Sequence, residues 1–86
     1  MHEMSLMRDL LRQIESLARA QDATQVVSVG LRVGALAHIS PSHLREHFVD
    51  GARGSVAEGA RLDIDTSDDA DDPQAQSIVL TRIEVR

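Results

Sequence analysis

The sequence predicts an α+β fold: two layers, with two helices packed on one face of a three-stranded mixed β-sheet, in the order α-β-α-β-β. Three observations carry this. Apolar residues recur at three- and four-residue steps between positions 4 and 20, and again after Ser40. They alternate with polar residues in two short runs, 27–33 and 60–65. A third run, Ile78–Val85, is rich in Ile, Val and Thr. A period near 3.6 marks one face of a helix, and a period of two marks a strand with one buried face.

The first helix is expected over 4–20. Met7, Leu10, Leu11, Ile14, Leu17 and Ala18 form its apolar face, and Arg8, Asp9, Arg12, Glu15 and Arg19 occupy the remainder. Residues 21–24 are a short polar connection. In the first strand Val27, Val29, Leu31 and Val33 alternate with Ser28, Gly30 and Arg32, and Gly34 ends it. Ser40-Pro41 is a helix start, with Ser40 as N-cap and Pro41 at the first helical position. Leu44, Phe48 and Ala52 are the buried stripe of that second helix, which should stop near Gly51 or Gly54. Residues 54–59 read as a turn. Ala60, Leu62 and Ile64 alternate with Arg61, Asp63 and Asp65 in the second strand. Residues 66–77, with Asp68, Asp69, Asp71, Asp72 and Pro73, read as a solvated, mobile acidic loop. The third strand has apolar residues at both parities at its start, which points to a central or bulged strand. The first two strands and the helix between them suit a parallel pair with a right-handed crossover. The last two strands suit an antiparallel hairpin closed by the acidic loop.

Composition sets limits on function. The 86 residues form a single domain over 1–86, 42% apolar, with Phe48 the only aromatic. The core must therefore be built largely of Leu, Val, Ile and Ala. A net charge of −5 argues against nucleic acid or an anionic membrane as partner. The absence of cysteine removes disulfides, thiolate metal sites and thiol nucleophiles. No apolar run approaches the roughly 18 residues of a membrane span, and the start is polar, so the cytoplasm is the expected compartment.

Candidate chemistry concentrates at the start of the chain. If Met1 is the true terminus, its amine, the amide nitrogen of His2 and the Nδ1 of His2 can close fused chelate rings around one ion. Ni(II) and Cu(II) can displace an amide proton and accept such a planar nitrogen-rich set, whereas hard cations prefer oxygen. Glu3 adds a fourth donor or an orienting group. By itself the tripeptide equally fits a frayed terminus. A second candidate is His43-Leu44-Arg45-Glu46-His47, which matches the H-x-x-E-H pattern of inverted zinc proteases. Histidines at i and i+4 share a helix face and can bind one ion, with His38 as a further ligand. The short remainder of the chain lacks the scaffold and third ligand a protease needs, so partly exposed helix histidines or an auxiliary metal site fit better. The acidic run lacks the EF-hand spacing, glycine and closing glutamate.

Taken together, Met1-His2-Glu3, Ser5-Leu6, Leu10-Leu11, Leu31-Arg32-Val33-Gly34, Pro41 with Leu44-Arg45 and Phe48, Ala57-Glu58-Gly59-Ala60-Arg61-Leu62 and Arg82-Ile83-Glu84-Val85 resemble the HypA/HybF family of nickel-insertion accessory proteins. The resemblance implies a nickel-binding metallochaperone and not an enzyme. It would assist [NiFe]-hydrogenase, or urease, maturation with Ni(II) held at Met1, His2 and Glu3. It implies as partners a nickel-handling accessory GTPase and the hydrogenase large subunit, with the chain a monomer or weak homodimer. The family carries a zinc domain with two Cys-x-x-Cys pairs between its second and third strands. Here that place holds only the acidic loop 66–77, so no structural zinc is expected. Ala35 and Glu46 also depart from the family pattern. A zinc-less paralogue acting as a protein-interaction module in metalloenzyme assembly is the alternative reading.

Overall fold

The computed structural model describes the backbone from Glu3 to Arg86 and side chains from Ser5 onward. Its elements follow the expected order: α1 (Glu3–Ala20), β1 (Val26–Val33), α2 (Pro41–Ala52), β2 (Arg61–Thr66) and β3 (Ile78–Val85). Met7, Leu10, Ile14 and Ala18 of α1 and Leu44, Phe48 and Ala52 of α2 join Val29, Leu31, Val33 and Leu62 of the sheet in one core. The α+β class, two helices on a three-stranded mixed sheet, is thus as the periodicities predict.

Local chemistry accounts for the helix boundaries. After α1, Asp22 takes a left-handed conformation (φ 54°), and Ala23 N–H donates to the Ala18 carbonyl, satisfying a terminal acceptor. Ser40 sits in extended backbone, and its Oγ accepts from His43 N–H at 3.2 Å, with Pro41 following it. Gly51 does not stop α2. It lies within the last turn, where α2 approaches α1: a Cβ there would stand 2.6 Å from Leu11 Cδ1. The left-handed glycine beyond the helix is Gly54, at φ 79°.

The strand order differs from the expected hairpin. The sheet runs β2-β1-β3, with β1 parallel to β2 and antiparallel to β3. β2 and β3 do not pair, and β3 is an edge strand. β1 takes the centre because it can be covered on both sides and both faces: six of its eight residues are buried, including Ser28 and Gly30 on the face away from the core. β2 and β3, with Arg61, Asp63, Asp65, Arg82 and Glu84, keep their polar positions wet at the edges.

Two bulges explain further departures. Val26 faces Val85 and Ser28 faces Glu84, so Val27 is the extra residue in β1. The bulge buries Val26 and leaves Val27 exposed, reversing the parity expected there. Gly30 faces Arg82 and Leu31 faces Leu80, so Thr81 is the extra residue in β3. That bulge lets both parities of β3 be partly apolar. On α1, Leu17 is 40% exposed because it lies at the margin of the apolar stripe and faces the rim of the sheet, where it shares a shallow groove with Leu80 and Ile83.

The acidic segment after β2 is built from turns. Asp71 N–H donates to Asp69 Oδ1 at 3.0 Å, and Gln74 N–H donates to Asp72 Oδ1 at 2.8 Å. Such side-chain-to-backbone bonds two residues on mimic a backbone turn. The segment is docked: Ala75 is buried, its carbonyl accepts from Leu36 N–H at 2.7 Å, and Ser77 O accepts from Gly34 N–H at 2.9 Å. A Cβ at Gly34 would lie 2.2 Å from the Ala75 carbonyl oxygen, so only glycine permits this approach. Arg32 reaches across, 3.4 Å from Ser67 Oγ and 3.7 Å from an Asp72 carboxylate oxygen.

Candidate metal centre

The tripeptide singled out from the sequence is carried by α1. Met1, His2 and the side chain of Glu3 lie outside the described residues; the backbone of Glu3 opens the helix. What is described is the mount. Met7 and Leu10, one to two turns on, are 2% and 5% exposed, and Gly51 admits α2 against Leu11 and Met7. The described part of α1 is therefore held by packing on α2 and the sheet from Met7 onward.

The other histidines divide by location. His43 and His47 stand one turn apart on α2, their ring centres 5.8 Å apart and inclined at 49°. His43 is exposed and His47 half-buried. His38 is exposed in the turn before α2, with a left-handed backbone at φ 56°. Among the described residues no three His, Asp or Glu side chains come together as a metal-binding group, so His38 and Glu46 do not complete a site with the α2 pair. A hydrolytic centre of the inverted-protease kind is not assembled by these residues.

A polar cluster that sequence reasoning missed covers the sheet face opposite the helices. Arg82 Nη1 donates to Glu84 Oε1 at 2.6 Å and to Ser28 Oγ at 3.0 Å, while Arg82 Nη2 donates to Asp63 Oδ2 at 2.6 Å. Ser28 Oγ in turn donates to Glu84 Oε1 at 2.7 Å, and Arg61 Nη2 bonds Asp63 at 3.3 Å. The guanidinium of Arg82, then that of Arg61, holds the Asp63 carboxyl below the usual carboxylate range. The Ser28 hydroxyl, followed by the nearby charges of Arg82 and Arg61, does the same for Glu84. Gly30 lies among them; a Cβ there would stand 2.9 Å from Thr81 Oγ1. The signal was present as alternating charges in 61–65 and 82–84, but it becomes a network only once β2 and β3 are placed on either side of Ser28 and Gly30. On the helix side, Arg45 Nη1 donates to the Leu62 carbonyl at 2.8 Å and ties α2 to edge strand β2.

No described helix is long and apolar enough to cross a membrane. Residues 1–70 match the model of the HypA family, described as hydrogenase/urease nickel incorporation, metallochaperone. Among curated proteins, the hydrogenase maturation factor HypA of Methylocella silvestris is 48% identical over 65 residues, covering 76% of this chain and 58% of that protein. The factor of the same name from Acidithiobacillus ferrooxidans is 44% identical over 66 residues, covering 77% and 58%. The chain thus spans little more than half the length of the curated relatives it matches. The solution structure of the Ni metallochaperone HypA from Helicobacter pylori shares the fold at a TM-score of 0.83, with 20% identity over 99% of this chain and 97% of that one. The chain belongs to the HypA hydrogenase/urease nickel-incorporation family, a family of metallochaperones and not of enzymes.

Proposed function

We propose that this protein is a nickel metallochaperone that holds Ni(II) at Met1, His2 and Glu3 and passes it to a hydrogenase-maturation apparatus. The observation that carries the reading is that the family match begins at residue 1 and so includes the tripeptide with the chelating donor set. With Met1 as terminus, its amine, the His2 amide nitrogen and the His2 imidazole bind the ion, and Glu3 supplies a ligand or orients the set. α1, packed from Met7 onward, follows directly on this tripeptide. The ion is cargo, so a site with few protein ligands suits release to the next carrier.

The nickel-handling accessory GTPase and the hydrogenase large subunit are the proposed recipients, and a urease pathway is the variant the family description also covers. The open edges of β2 and β3 and the exposed side of α1 provide docking surface. We also infer that the docked acidic segment 66–77 stands in place of the family's zinc domain. This rests on the absence of cysteine and on a segment that closes over Gly34 by its own turns. The protein then works without structural zinc, in the cytoplasm where such assembly takes place.

Calorimetric titration of the tag-free protein with Ni(II), beside His2→Ala, tests the reading. Stoichiometric binding lost in the variant is the expected result. Binding that survives the substitution would remove the terminal site and turn attention to His43 and His47, and no binding by either protein would leave the interaction-module reading.

A further inference from the structure

We propose that His47 of α2 is a positioning residue for the terminal tripeptide: its imidazole pairs with the Glu3 carboxylate and orients residues 1–3 toward their ion. The effect on nickel rests on the terminal nickel reading; the pairing itself does not. Helix direction comes first. β1 and β2 are parallel, so α2 between them runs back against β1. α1 also runs against β1, because only residues 21–25 join the two and α1 packs on the same core. The two helices therefore run alongside each other in the same direction. Their C-terminal ends meet at one place. Ala18 and Val56, which follows α2, line one shallow groove, and Val26 N–H at the start of β1 donates to the Val56 carbonyl at 2.9 Å.

Direction fixes which residues stand level. A Cβ at Gly51 would lie 2.6 Å from Leu11 Cδ1 and 3.7 Å from Met7 Cγ, so Gly51 faces the turn of α1 between Met7 and Leu11. In parallel helices, one turn back on α2 is also one turn back on α1. Four residues before Gly51 is His47, and four before Met7 is Glu3, each on the same helix face as its successor. The backbone of Glu3 is the first residue of α1. His47 is half-buried on α2, where Glu46 and Val49 beside it are exposed. Besides its ring contact with His43, His47 has an interaction that the described residues do not supply. The other acids of α1 are placed elsewhere: Asp9 is exposed, 3.8 Å from Arg12, and Glu15 stands beside Val56 at the far end. On α2, Asp50 is 3.2 Å from Arg53. In either protonation state the imidazole has an N–H to donate, and a carboxylate acceptor makes the bond charge-assisted. Glu3 then acts as an orienting group, leaving the Met1 amine, the His2 amide nitrogen and the His2 imidazole to the ion.

The test has a metal-free arm and a nickel arm, both on tag-free protein. Without metal, Glu3→Gln should move the ring proton resonances of His47 and leave those of His38 in place. With Ni(II), His47→Leu should weaken binding in calorimetry by about tenfold or more, as loss of a group that orients metal ligands does. His47→Gln, which keeps an N–H donor, should restore most of the affinity. In the Glu3→Gln background His47→Leu should add little, with circular dichroism verifying the helices throughout. If Glu3→Gln leaves the His47 resonances unmoved, the pairing is overturned whatever nickel does. If nickel binding needs His2 but is as tight in His47→Leu as in the parent, the positioning role is overturned and the terminal site stands. Binding that survives His2→Ala overturns the terminal reading and the positioning role together, and the metal-free arm then decides the pairing by itself.

Discussion

Removing the Arg82 guanidinium takes donors from Asp63, Glu84 and Ser28 at once. Each contact is half-exposed, and a lone exposed ion pair contributes little. The set is worth more because two carboxylates share one planar donor and a buried hydroxyl. The folded state lowers the pKa of both Asp63 and Glu84. It therefore binds fewer protons than the unfolded chain, and the resulting stability is full above the unfolded carboxyl values near about 4 and is lost as pH falls through the folded ones. Arg82→Met should lower the thermal midpoint at neutral pH. The gap to the parent protein should close in acid, in unfolding scans taken between neutrality and about pH 3. A gap that is constant with pH would show that Arg82 acts through packing of its stem alone.

At the scale of elements, the docked acidic segment depends on one close approach. Gly34→Ala would drive a Cβ into the Ala75 carbonyl, which is backbone and cannot swing aside. We expect a loss of at least about 2 kcal/mol in denaturant unfolding, as for an overpacked core site. Faster hydrogen exchange should appear at the Leu36 and Gly34 amides. Unchanged exchange there would mean that the segment does not close over β1. This docking was not legible in the sequence, where Asp68–Asp72 shows only polarity. Its order comes from Asx turns and from Ala75 finding Gly34, a contact between distant positions. The helices were legible because their cues are local: the stripe through Met7, Leu10, Ile14 and Ala18, and the Ser40-Pro41 start. The strand order was not. Alternation tells which face of a strand is buried and says nothing about its neighbour, so β3 could be matched to β2 or to β1 on equal terms. Val27 was misplaced for a related reason, since a bulge shifts parity without leaving a mark in composition.

At the scale of the whole molecule, a small domain with one aromatic residue packs two helices on a sheet whose outer strands, β2 and β3, have no further strand partner among the described residues. Under the proposed function that arrangement suits a carrier, which needs surface for partners and has no need of a catalytic cleft. The ligands proposed at residues 1–3 rest on donor chemistry, since a terminal amine, an amide nitrogen and an imidazole on consecutive residues need no tertiary structure to chelate, and Met1, His2 and the side chain of Glu3 lie outside the described residues. The α2 histidines were legible as a pair by spacing, but their isolation from His38 and Glu46 required the fold.

The amine of Met1 separates this account from any in which a side chain alone holds the ion. Ni(II) titration of the protein acetylated at the Met1 amine, read by the absorbance of planar nitrogen-bound nickel, tests it most directly. The account predicts that the band seen with the unmodified protein is absent and that affinity falls by about tenfold or more, the amine ligand having been converted to an amide. An unchanged band and affinity would contradict the terminal site and place nickel elsewhere on the molecule.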